Sequence, residues 1–75
     1  MDYKKYIESN PNVMLGKPII KGTRITVELI IQKLSEGASH LQLLEAYPSL
    51  TANDILAALA YASEVISNET IIALA

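Results

Sequence analysis

Three residues able to cap helices, Thr26, Ser39 and Thr51, punctuate the second half of this chain, and each is followed by an apolar pattern and then a stop, at Gly37, Pro48 and Asn68. A side-chain oxygen at an N-cap accepts one of the four N–H groups that a helix start leaves without partners. Glycine supplies the left-handed residue that closes a helix, and the residue before a proline avoids helical geometry. Signals packed this tightly leave room for three short helices joined by tight turns, and for little else.

The first helix is expected over residues 26–36. Val27, Ile30, Ile31 and Leu34 follow Thr26 at i, i+3, i+4, i+7 spacing, and Glu28 sits near the positive end of the helix dipole. Ser39 opens the run S-H-L-Q, a capping box in which Gln42 reaches back to the cap. The second helix therefore covers residues 39–46, with Leu43, Leu44 and Tyr47 inward, and ends at Pro48. Thr51 caps a third helix running to about residue 67, with Asp54 in its first turn. Ile55, Leu59, Ala62 and Ile66 are read as its inner stripe, widened by Leu56 and Tyr61. Its alanines, at 52, 57, 58, 60 and 62, permit close approach of another helix.

The first 25 residues carry turn chemistry instead. YKKYI reads as a short strand or a helical turn, and Asn10-Pro11-Asn12 as a turn. Residues 13–15 and 19–21 read as short extended segments bent at Gly16 and Gly22, with Pro18 stiffening the stretch between them. The expected fold is mainly α: a three-helix helix-turn-helix domain, homeodomain-like or winged-helix-like, with a short extended N-terminal β arm. It is one domain, with the arm over residues 1–25, the trihelical core over 26–67 and a tail over 68–75. The tail ends in the apolar run ETIIALA, expected to fray, to extend the third helix or to dock on a subunit.

Composition narrows the function. Hydrophobic residues make up 51% of the 75 residues, with no Phe or Trp, yet a domain of this size buries only about 60–65% of its unfolded surface. An apolar patch should remain outside, and a two-fold homodimer is the commonest way to cover one. Cysteine is absent and His40 is the single histidine, which argues against disulfides and a metal site. The charged N-terminus does not read as a signal peptide, and the longest apolar run, residues 55–62, is too short to span a bilayer. A soluble, cytoplasmic protein is expected.

Charge is unevenly placed. Residues 1–33 hold all six basic residues against three acidic ones, a net +3, whereas residues 34–75 hold five acidic residues and no basic ones, a net −5. Two halves so different suggest different partners. If the third helix docks in a DNA major groove, Thr51 and Asn53 are the residues that approach bases, Asn53 having the geometry to read adenine. That helix has no Lys or Arg, so phosphate contacts fall to Lys17, Lys21 and Arg24 in the arm. Arg24 has a competing partner in Glu28, four residues on, and Lys4 and Lys5 read as solvated. A plain three-helix bundle accounts for the same helices without DNA.

Enzymatic chemistry has no foothold. A phosphate-binding loop needs G-x-x-x-x-G-K-[ST], but here Lys17 follows the first glycine and Thr23 follows Gly22. No nucleophile–base pair is suggested by spacing, and Asp54 and Glu64 are too far apart along a helix to share a site. No cofactor and no small-molecule substrate are expected.

The runs G-K-P-I-I-K-G-T-R-I, V-E-L-I-I-Q-K-L, E-G-A-S and E-A-Y-P-S-L-T-A-N-D-I-L-A-A-L-A-Y-A occur in this order. Together they resemble the family called "domain of unknown function 433", over about residues 7–62. The resemblance implies a small antitoxin-like helix-turn-helix fold. It also implies a partner, a PIN-like ribonuclease toxin encoded nearby, and repression of the protein's own operon by operator DNA binding. The signature corresponds to Gly16, Lys17, Pro18, Ile20, Gly22, Thr23, Arg24 and Ile25, and Tyr47-Pro48 with Leu50-Thr51 to the turn into the last helix. Gly16, Pro18, Gly22, Thr23, Gly37 and Pro48 are read as structural.

Overall fold

The structure is a computed structural model and describes residues 1–68. The ETIIALA run lies outside the described residues. Two strands, β1 (Ile7–Glu8) and β2 (Ile19–Ile20), precede three helices, α1 (Val27–Ser35), α2 (His40–Ala46) and α3 (Ala52–Ser67).

Each helix starts at the expected cap. Thr26 Oγ1 accepts the N–H of Leu29 at 3.0 Å. Ser39 and Gln42 form the reciprocal capping box, at 3.1 and 2.8 Å. Thr51 and Asp54 form a second one that the sequence reading had only half described: Thr51 Oγ1 accepts the Asp54 N–H, and Asp54 Oδ2 accepts the Thr51 N–H. The stops are equally local. Gly37, at φ +99° with open space around its α-carbon, takes the left-handed position that side chains resist and donates its N–H to Leu34 O. Before Pro48, Tyr47 leaves helical geometry while still donating to Leu43 O, and Leu50 N–H closes the following turn on Tyr47 O.

The N-terminal segment is not a free arm. A 3₁₀ turn at Tyr3–Lys5 leads into β1, so YKKYI holds both a helical turn and the start of a strand. β1 pairs antiparallel with β2, Ile7 opposite Ile20 and Glu8 opposite Ile19. On its other side the β2 segment bridges to Thr26. The chain between them closes as a hairpin: Ile20 N–H donates to Ile25 O, and Thr23 donates both its N–H and its hydroxyl to Ile20 O. Gly22, at φ +77°, is the residue that lets this hairpin reverse. The ribbon is folded onto the helices, and Ile7 and Ile20 join Val27, Ile30, Leu43, Leu50, Ile55, Ala57 and Ala58 in one buried cluster.

Two expectations are corrected. Val13 is extended as expected, but Met14 and Leu15 are not. Val13 N–H donates to Asn10 O, Gly16 N–H to Val13 O and Lys17 N–H to Met14 O, which winds Met14–Gly16 into a single 3₁₀ turn. It is left-handed, with φ of 50°, 58° and 81° at Met14, Leu15 and Gly16. Two consecutive side-chain-bearing residues in this region each cost about 1–2 kcal/mol, and Leu15 stands 93% exposed.

The second correction concerns α3. Its buried residues are Asp54, Ile55, Ala57 and Ala58. Leu56, Leu59 and Ile66, read from the sequence as inward, are exposed at 47%, 39% and 70%. The small side chains let α3 approach the rest of the core closely, and the larger apolar ones are left on the outer face.

Candidate functional site

The cations of the N-terminal half gather around the ribbon. Lys21 and Arg24 lie in the six-residue hairpin closed by Ile20 and Ile25, and both are exposed. The Lys21 N–H donates to Tyr6 O at 2.8 Å, which sets Lys21 across from the chain that carries Lys4 and Lys5. Lys17 and Arg24 border one shallow depression of about 230 Å³, together with Met14, Thr26, Glu28, Leu29 and Gln32. Pro18 holds this stretch to the helices, because its carbonyl accepts the N–H of Val27 at 3.0 Å. Thr23 sets the hairpin, its hydroxyl also accepting the Ile25 N–H at 2.9 Å.

Glu28 pairs with Lys17 and not with Arg24: Lys17 Nζ donates to Glu28 Oε1 at 3.1 Å. Arg24 lies before α1 begins, so the helical i, i+4 relation never applies to it. The Lys17–Glu28 pair is solvent-exposed on both sides, and such pairs contribute at most about 1 kcal/mol. An incoming phosphate could take Lys17 over at small cost. Among the described residues, Lys21 and Arg24 have no carboxylate within ion-pair distance.

Thr51 and Asn53 are both exposed at the start of α3. The Thr51 hydroxyl is engaged in the cap, and Asp54, one residue after Asn53, is turned inward with 8% exposure. The rest of the exposed α3 surface contains Leu56, Leu59, Ser63, Val65, Ile66 and a single charge, Glu64. His40 is exposed at the first position of α2. The ribbon half, residues 1–25, carries a net +3, and residues 26–68 a net −4.

The glycine-marked hairpin, the strand behind it, the first two helices and most of α3 fall inside one recognised unit. Residues 7–62 match the profile of the family described as "Protein of unknown function (DUF433)". The chain belongs to the DUF433 family. It is 36% identical over 59 residues to the uncharacterized protein y4eO of Sinorhizobium fredii (strain NBRC 101917 / NGR234), a match spanning 79% of this chain and 27% of that protein. It is also similar to the crystal structure of a DUF433 member protein from Anabaena variabilis ATCC 29413, with a TM-score of 0.77 and 36% identity over 81% of this chain and 60% of that one. This DUF433 chain thus spans about a quarter of the length of the curated relative it matches and 60% of its structural neighbour.

A groove missed by the sequence reading opens between α1 and the C-terminal half of α3. It measures about 560 Å³ and its apolar walls include Val27, Ile31, Tyr61, Ala62, Val65 and Ile66. The signal for it was present in the apolar run of residues 55–62 and in Val65 and Ile66 beyond it, but that pattern does not say which side of a helix its neighbours leave open. Among the described residues no helix is long and apolar enough to cross a membrane.

Proposed function

We propose that this DUF433 protein is an antitoxin-like regulator whose basic ribbon holds the phosphate backbone of DNA. The observation that carries this reading is the convergence of exposed Lys17, Lys21 and Arg24 on the hairpin side of a molecule otherwise acidic. Neutralising phosphates supplies most non-specific DNA affinity, and each contact contributes to the salt dependence. Base contact would be limited to Asn53 and Thr51 at the first turn of α3, because the remainder of that helix offers no cation. The DNA would be the operator of the protein's own genes, and the acidic, apolar helical half is suited to a protein partner, which the family resemblance implies to be a PIN-like ribonuclease toxin.

The test is fluorescence anisotropy on DNA from the upstream region of the protein's own gene, over a salt series. Arg24→Ala and Lys21→Ala should each weaken binding to every sequence alike and reduce the salt slope by about 1. Asn53→Ala should instead alter the ranking of sequences. No binding at low salt sinks the DNA reading.

A second reading, a homodimeric protein-interaction module with no DNA contact, is favoured by the uncharged apolar outer face of α3. Co-purification with the product of a neighbouring gene, together with indifference to DNA, would select it.

A further inference from the structure

The left-handed turn at Met14–Gly16 holds its strain at a place that the core does not use. Neither Met14 nor Leu15 belongs to the buried cluster, and they stand 42% and 93% exposed. The base of the turn is nevertheless firmly held. Asn10 and Val13 bridge, and the Asn12 N–H donates to Asn10 Oδ1 at 2.9 Å. Gly16 lies close over Pro11, so that a β-carbon on it would stand 3.8 Å from the Pro11 α-carbon. Residues in this sparsely populated conformation persist where their surroundings over-determine them, and they gather at sites that clamp a ligand. The result is a rigid apolar tip.

We propose that Met14 and Leu15 form a wedge that enters the minor groove of DNA and parts one base step. The proposal deepens the DNA reading above and rests on it. Charge selects the occupant. Met14 borders the same depression as Lys17 and Arg24. Leu15 comes two residues before Lys17, in a segment, residues 1–25, that carries a net +3. A duplex brings phosphates to such cations along both edges of its groove, and Leu and Met are among the apolar side chains that proteins insert between base steps.

Other occupants fit this tip less well. Leucine is under-represented among the residues that anchor protein interfaces, and cations flank it here. A single lipid chain gives only marginal membrane binding, and the side chains of Met14 and Leu15 together bury less than such a chain. The wedge also sets which DNA is chosen. Pyrimidine–purine steps such as TA and CA/TG unstack easily, so a wedge selects for them without reading any base edge. Leu15 thereby selects by deformability, apart from the base contact assigned to Asn53.

A duplex of about 20 bp, labelled at both ends for energy transfer, tests the proposal with the full chain at low salt. One version has an A·T-rich centre with a TA step; the control runs G on one strand and C on the other. The wild-type chain should bring the ends of the TA duplex closer and prefer it to the control. Leu15→Asn should bind the TA duplex about tenfold more weakly, with the bend lost, the salt slope kept and circular dichroism unchanged. Leu15→Met keeps an apolar tip and should retain both bend and affinity. Arg24→Ala, by contrast, should lower the salt slope on both duplexes alike. Binding without a bend, or a bend that Leu15→Asn leaves intact, overturns the wedge and spares the DNA reading. Equal losses in Leu15→Asn and Leu15→Met also overturn it, because apolar character is then not what acts. If the wild-type chain binds neither duplex, the wedge and the DNA reading fall together. If Leu15→Asn leaves DNA binding intact and abolishes co-purification with a neighbouring gene product, the tip is a protein anchor and the proposal is wrong.

Discussion

The reciprocal cap at the start of α3 sets a measurable cost on one buried carboxylate. In Thr51→Ala, the Asp54 N–H loses its acceptor at 3.2 Å, and truncating an N-cap hydroxyl costs about 1 kcal/mol. Asp54→Ala goes further. It removes the acceptor of the Thr51 N–H at 2.9 Å and a negative charge in the first turn of a 16-residue helix. A hydrogen bond to a charged group contributes about 1.5–3 kcal/mol, and the charge near the helix start about 0.3–1 kcal/mol. The desolvation of a carboxylate that is only 8% exposed offsets part of this, leaving a net loss of about 2 kcal/mol. Asp54→Asn keeps an acceptor of the same shape and should cost about half as much.

Against a total stability of roughly 4–11 kcal/mol for a 75-residue domain, Asp54→Ala should lower Tm by roughly 8–16 °C. Urea unfolding followed by circular dichroism gives the free energies directly, and an unchanged m-value confirms that the same surface unfolds. Because the two bonds share one turn, the double variant should lose less than the sum of the single ones, by about 0.5 kcal/mol or more. A smaller cost for Asp54→Ala than for Thr51→Ala, or two effects that simply add, would refute the reciprocal cap as the source of the stability.

Other substitutions test the remaining structure. Ile30→Ala, at a fully buried position, should cost about 2–5 kcal/mol in the same urea experiment, and a smaller loss would mean that the core readily collapses around the site. Leu15→Asn should raise stability by about 0.5 kcal/mol or more, since asparagine tolerates left-handed geometry and a residue this exposed loses no burial; a lower Tm would show that Leu15 makes contacts the fold requires. Gly37→Ala meets no atoms but must keep a positive φ, and a loss of about 1 kcal/mol is expected by the same measurement. The Tyr3 phenol is held above its ordinary value of 10.0, chiefly by hydrogen bonding to Glu64 and then by partial desolvation. The raised value favours the neutral phenol in the fold, so its contribution is fully present below the unfolded tyrosine pKa and is lost as pH rises through the folded one. Glu64→Gln should move one of the four tyrosines to lower pH in a phenolate absorbance titration, and an unaltered curve contradicts the assignment.

The helix ends were legible because capping is a local affair. Ser39 meets Gln42 and Thr51 meets Asp54 across three residues, so composition at those positions carries the whole signal, whatever the rest of the chain does. The glycines at 22 and 37 were legible for the same reason, each answering to its own backbone angle. The hairpin cations were recognisable as a group, although the pairing of Glu28 was not. Lys17 reaches it across eleven residues, through a ribbon whose placement against α1 no local rule supplies.

What only the tertiary structure decided was which side of each element faces in. Residues 55–66 are apolar on several sides at once, so periodicity permits more than one inner face for α3. Packing settled the choice in favour of Ala57 and Ala58: small side chains let the helix axis come close to the core, which large ones at the same place would have held away. The same choice turned Leu56, Leu59 and Ile66 outward and left an exposed apolar face on α3. It also folded the N-terminal ribbon onto the helices, because Ile7 and Ile20 complete the cluster that the alanines leave unfilled. The sequence by itself determined where each helix begins and ends. The fit of side-chain volumes between elements distant in the chain determined which surfaces remained for partners.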